Sequence, residues 1–185
     1  MVLRAVILSA MMVTSAEAAC LKQTSLDSGV VVSFADGTEL TIERHEGALL
    51  QLTYAELRDG RPDPLRTSTS LAWYGIFVVA SDSQTADGLT RRYQTQFIED
   101  PPVPEAGKQG ELTTRPGNTP RRLLYGYSQA DTVAVGNCDY QAVEVGMTAP
   151  PLRGAPVVGG HIYFLQLGFG FPGTAAEIVS MDLAQ

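Results

Sequence analysis

Apolar residues recur at alternate positions along most of this chain, and no stretch holds the 3.6-residue period of a long amphipathic helix. That single property restricts the fold to strands half-buried on a common core. The segment VVVSFADGTELTI, residues 30 to 42, shows how tightly it constrains pairing. Val30, Val32 and Phe34 alternate before Asp36-Gly37, and Leu40 and Ile42 alternate after it. A two-residue Asp-Gly turn would set Val32 opposite Thr41 and put the two apolar sets on opposite faces. A three-residue loop, Ala35-Asp36-Gly37, pairs Val32 with Leu40 and Val30 with Ile42 instead. All the apolar side chains then share one face, with Gly37 in the left-handed position of a bulge. Register selects the longer loop.

The same alternation predicts further strands. Residues 48–57 carry Leu50, Leu52 and Tyr54 on one face. SLAWYGIFVVAS, residues 70–81, is apolar on both faces and reads as one central strand, with Gly75 at a bulge or close approach. Shorter strands are expected at 90–98, 122–128, 132–135 and 139–147, and an aromatic-rich one in HIYFLQLGFGF, residues 161–171. The last stretch, AEIVSMDLA, fits a strand through Val179, Met181 and Leu183 or a short helix. About ten short strands in a single domain over 19–185 imply an all-β antiparallel sandwich or barrel. Two long Pro/Gly-rich loops, 99–121 and 148–160, interrupt the pattern.

The N-terminus reads as an export signal. Arg4 supplies the positive end, Ala5 to Val13 is apolar but too short to span a bilayer, and Ala16-Glu17-Ala18 has a signal peptidase's small-x-small pattern. Residues 1–18 are therefore expected to be a signal peptide, cleaved before Ala19. A lipoprotein signal wants a branched apolar residue where Glu17 stands, so Cys20 is not read as an acylated anchor, and no transmembrane anchor is expected in the mature chain. Cys20 and Cys138 are the only cysteines. In an oxidising periplasmic or extracellular compartment they are expected to form a disulfide. Closing so long a loop stabilises a fold by roughly 4–5 kcal/mol in the chain-entropy model.

Cleavage removes Arg4 and Glu17 together, so the remaining 167 residues keep the net charge of −7. An acidic soluble chain of this kind suits neither nucleic acid nor anionic lipid as a main partner. Short strands, one of them apolar on both faces, and an ending without an aromatic residue argue against an outer-membrane barrel. Eleven of the thirteen basic residues are arginine. Arg115, Arg121 and Arg122, in or beside the first long loop, could grip a carboxylate or phosphate bidentately. The partner expected there is an unknown protein or a small anionic ligand.

The catalytic motifs are near misses. GFGFPG, residues 168–173, matches G-x-G-x-x-G, but only twelve residues follow Gly173, too few for the helix, strand and acidic residue of a dinucleotide site. Gly168 and Gly170 read instead as bends beside Phe169 and Phe171. HEGAL, residues 45–49, has Leu49 where a zincin needs its second histidine. With only His45 and His161 present, a histidine-rich metal centre is excluded, and no cofactor, metal site or catalytic residue is assigned. The expectation is a non-catalytic binding or interaction module. Two alternatives are a small periplasmic hydrolase using His161 or His45, and an apolar-ligand carrier should the sheet close around Trp73, Tyr125, Tyr163 and Phe164.

Overall fold

The computed structural model describes residues 20–84, 89–117, 119–149 and 157–184. The expected signal peptide, residues 1–18, and most of the second proline-rich stretch lie outside them. Thirteen strands are present: β1 (Val30–Phe34), β2 (Thr38–Glu46), β3 (Leu49–Arg58), β4 (Arg61–Trp73), β5 (Phe77–Gln84), β6 (Thr90–Phe97), β7 (Gln109–Pro116), β8 (Arg121–Tyr127), β9 (Asp131–Val135), β10 (Cys138–Thr148), β11 (Val157–Phe164), β12 (Phe169–Pro172) and β13 (Ile178–Leu183). All pair antiparallel in the order β12-β11-β10-β8-β7-β6-β5-β4-β3-β2-β1-β13, with β9 beside β10. The sheet is not closed; it folds over itself into a sandwich-like all-β unit.

The register argued from Gly37 is the one found. Val30 pairs with Ile42 and Val32 with Leu40. Gly37 has φ +83°, and its N–H donates to the Phe34 carbonyl at 3.1 Å. Asp36 completes the turn by accepting the Thr38 N–H at 2.8 Å. All four paired side chains are fully buried. They join Leu50 and Leu52 of β3 in a layer that packs on Ile162, Phe164, Phe169 and Phe171 from β11 and β12. Phe34 meets Phe171 edge-on across the layers, ring centroids 5.5 Å apart. Burying a phenylalanine contributes about 1.5–3 kcal/mol, so these rings supply much of the driving force for the fold.

β10 and β11 contribute to both cores. Ala142, Ile162 and Phe164 face the first core. Val143, Val145 and Tyr163, at the alternate positions, face a second core with Phe77, Leu112 and Tyr127. Residues 70–81 also pack on both cores, Ala72 and Val78 on the first and Trp73 and Phe77 on the second, but they are not one central strand. They are a hairpin, in which β4 and β5 turn at Tyr74-Gly75-Ile76. Likewise 161–171 divides into β11 and β12 around a turn in which Leu167 is fully buried. The C-terminal stretch is a strand, β13, preceded by a 3-10 turn at Ala175–Glu177. A bulge opposite Ser33 and Phe34 places Ile178 and Met181 against the core, whereas Val179 is 60% exposed.

The expected loop 99–121 needs the largest correction. Its residues 109–116 are β7, which pairs with β8 from Gln109 to Thr114 and with β6 from Thr114 to Pro116. Leu112 and Thr114 face inward and are buried. Even the connection before β7 is packed, since Pro101 and Pro104 are buried and Gly107 N–H donates to the Ser128 carbonyl at 2.8 Å. The second loop, 148–160, is likewise shortened by β11, which begins at Val157.

Cys20 and Cys138 are bonded, with Cα atoms 5.6 Å apart. Beside the bond, Leu21 N–H donates to the buried Tyr140 hydroxyl at 3.0 Å. A 3-10 turn, Gln23–Asp27, then carries Leu26 into the first core, leaving it 2% exposed. Arg44 fastens this segment through Asp27 at 2.7 Å.

Candidate functional site

Two concavities flank β11, and His161 lines both of them. The smaller, about 250 Å³, lies on the second-core side between β5–β8 and β10–β11. Its wall is apolar, formed by Phe77, Phe97, Leu123 and Met147 among others. Strand alternation determines which polar groups reach it. On β8, Leu123, Tyr125 and Tyr127 pack on the second core, so alternation puts Arg121 on their face and Arg122 on the opposite one, although both arginines border the groove. Arg121 pairs with Thr114 of β7, whose hydroxyl donates to the Arg121 carbonyl at 3.4 Å. Thr95 of β6 also lines the groove, and its hydroxyl oxygen is buried with no hydrogen-bond partner.

The three arginines singled out from the sequence are thus not a single grip. Arg122 is held by both carboxylate oxygens of Glu111, which raises its own pKa and lowers that of Glu111. Arg115 pairs with Gln96 and is exposed, and it borders neither concavity. Of the two arginines that border the groove, Arg121 alone has no carboxylate partner among the described residues.

The larger concavity, about 520 Å³, opens where β8 breaks before β9. Ser128, Asp131, Glu144, His161 and Thr174 line it. This set combines a histidine with hydroxyls and carboxylates, but the Ser128 hydroxyl has a structural task. It donates to the Gln129 carbonyl at 2.8 Å and accepts the Glu144 N–H at 2.9 Å, joining the two strands where the ladder lapses. His161 is 7% exposed. His45 is exposed near the end of β2 and lines neither concavity. Among the described residues, no three His, Cys, Asp or Glu side chains converge as a metal-binding group.

The aromatic residues named for a carrier divide between the cores. Trp73, Tyr125 and Tyr163 pack in the second core, and Phe164 lies in the first, with the sheet open. Sequence reasoning did not single out Thr95 or Met147. Neither stands in a motif, and only the fold of the sheet brings β6 opposite β10.

The chain matches no family model, no curated protein and no solved structure. Among the described residues, no helix is long and apolar enough to cross a membrane.

Proposed function

We propose that the protein is an exported, non-catalytic binding module whose ligand seat is the groove between β5–β8 and β10–β11. The observation that carries this reading is the small hollow on the second-core side of β11, walled largely by apolar side chains. At its wall stand an arginine with no carboxylate partner among the described residues and a buried hydroxyl with no hydrogen-bond partner among them. A preformed concavity with a few polar groups is the usual form of a small-molecule site. The disulfide supports export to an oxidising compartment, because such bonds persist there.

Backbone amide shifts, followed while a panel of single-ring compounds is added, test the seat. Movement is expected at Phe97, Leu123 and Met147. Shifts confined to other parts of the molecule would remove the groove from consideration.

A hydrolase centred on His161 is the second reading, favoured by the hydroxyls and carboxylates around the larger concavity. It requires a nucleophile other than Ser128, whose proton already goes to Gln129. Loss of ester hydrolysis in His161→Ala at unchanged stability would support it.

A further inference from the structure

The geometry points to a specific ligand class for the groove: a small carboxylic acid with one ring or a short acyl chain, its carboxylate on Arg121 and its apolar body against Phe77, Phe97 and Met147. This inference rests on the binding reading above and adds the chemistry of the occupant.

Charge is the first argument. The protein is acidic overall, with a net charge of −7, yet among the described residues neither Asp nor Glu lines this groove. Arg122, at the same end, has its charge answered by Glu111. Arg121 has no such answer among the described residues, so an incoming anion finds a guanidinium whose donors are not already engaged by a carboxylate. The protein's negative charge repels an anion at long range, but salt confines that effect to about 8–10 Å. Local complementarity then decides binding.

The second argument is the hydroxyl of Thr95. Its oxygen is buried without a partner, a costly arrangement that an acceptor brought by a ligand would relieve. Thr114 offers less, because its hydroxyl already donates to the Arg121 carbonyl. A carboxylate has acceptor capacity for both the guanidinium and a hydroxyl.

Size and wall chemistry limit the rest of the molecule. The groove holds about 250 Å³, slightly under the ~300–1,000 Å³ typical of drug-sized sites. One aromatic ring or a short acyl chain fits this volume, and the aromatic and methionine side chains would cover it.

The test is calorimetry on the full exported chain with benzoate, phenylacetate and 3-phenylpropanoate, set against their neutral amides and inorganic phosphate. The acids should bind saturably, and the amides at least about tenfold more weakly, since a charge-assisted contact is lost. Arg121→Gln should weaken the acids at least about tenfold, Arg121→Lys should restore part of that loss, and Arg115→Gln should change nothing. Thr95→Val should weaken the acids severalfold while leaving the protein at least as stable, which a purely structural hydroxyl would not do. Acids and amides binding alike, unaffected by Arg121→Gln, would overturn the carboxylate assignment while leaving the groove as a seat. Phosphate binding as well as the acids would overturn the apolar body. No binding by any compound would overturn both the assignment and the seat.

Discussion

Gly75 and Gly170 meet backbone to backbone. A Cβ on Gly75 would overlap the carbonyl oxygen of Gly170, and the Gly170 N–H donates to the Tyr74 carbonyl at 2.8 Å. The turn between β4 and β5 thus touches β12 main chain to main chain, joining elements far apart in the sheet order beside the side-chain packing of Ala72 and Val78 with Phe169 and Phe171.

Two glycine substitutions separate the causes at work in this contact. Gly37 has φ +83° with open space around its Cβ position, so Gly37→Ala should cost about 1 kcal/mol from backbone conformation. Gly75 has φ +73° and the Gly170 overlap as well. Gly75→Ala should therefore cost about 2–4 kcal/mol, the conformational term plus overpacking. Urea unfolding measures both; equal losses would show that the approach to Gly170 is not tight.

The disulfide should dominate global stability. It spans 118 residues and anchors the segment that places Leu21 and Leu26 over the first core. The double variant Cys20→Ser, Cys138→Ser should lose about 4 kcal/mol, with loss of the Leu26 packing adding to it. Mass spectrometry of exported protein should find Ala19 at the N-terminus and no alkylatable thiol. An acyl group on Cys20 or two free thiols would contradict this.

The buried phenols set an alkaline limit. Burial pushes Tyr163 up to about 12, with Tyr74 adding to the shift, and burial pushes Tyr54 and Tyr127 higher still. The unfolded chain releases these protons near pH 10, whereas the native protein retains them. Stability is thus fully present below pH 10 and falls as pH rises through 12. Tyr127→Phe should flatten that decline. At pH 7 it should be neutral or slightly stabilising, because the Tyr127 hydroxyl is buried without a partner. Urea titrations at pH 7 and between pH 9 and 11.5 check both statements, and a loss above 1 kcal/mol at pH 7 would contradict the second.

How much of this was legible in the sequence depended on where apolar material sits relative to turns. The pairing of Val32 with Leu40 could be argued because Asp36-Gly37 is polar and flanked by clean alternation. The β4–β5 turn could not. Its residues Tyr74 and Ile76 are apolar like their neighbours, and Tyr74 itself takes φ +55°, a conformation its side chain does not advertise. Leu167 hid the β11–β12 turn in the same way, by being a turn residue that is fully buried. β7 was missed for the opposite reason. Its inward positions are Gly110, Leu112 and Thr114, and Tyr125 of β8 fills the notch over Gly110. The partner strand supplies the bulk, so β7 shows almost no apolar period of its own. Of the candidate site, only Arg121, Arg122 and His161 were visible beforehand. Alternation decides that Arg122 and Arg121 face opposite ways, but the position of β7 had to be known before it could be applied.

The groove carries its own reporter. From Ala19 onward the chain has two methionines, Met147 at the groove and Met181 on β13 beside the first core. Methyl-labelled protein should therefore give two signals, one at the seat and one as an internal control. The decisive measurement is a titration of that sample with 3-phenylpropanoate. The account predicts that the Met147 methyl shifts saturably, that Met181 stays in place, and that Arg121→Gln weakens the response at least about tenfold. A stationary Met147 signal, or equal movement of both, would contradict it.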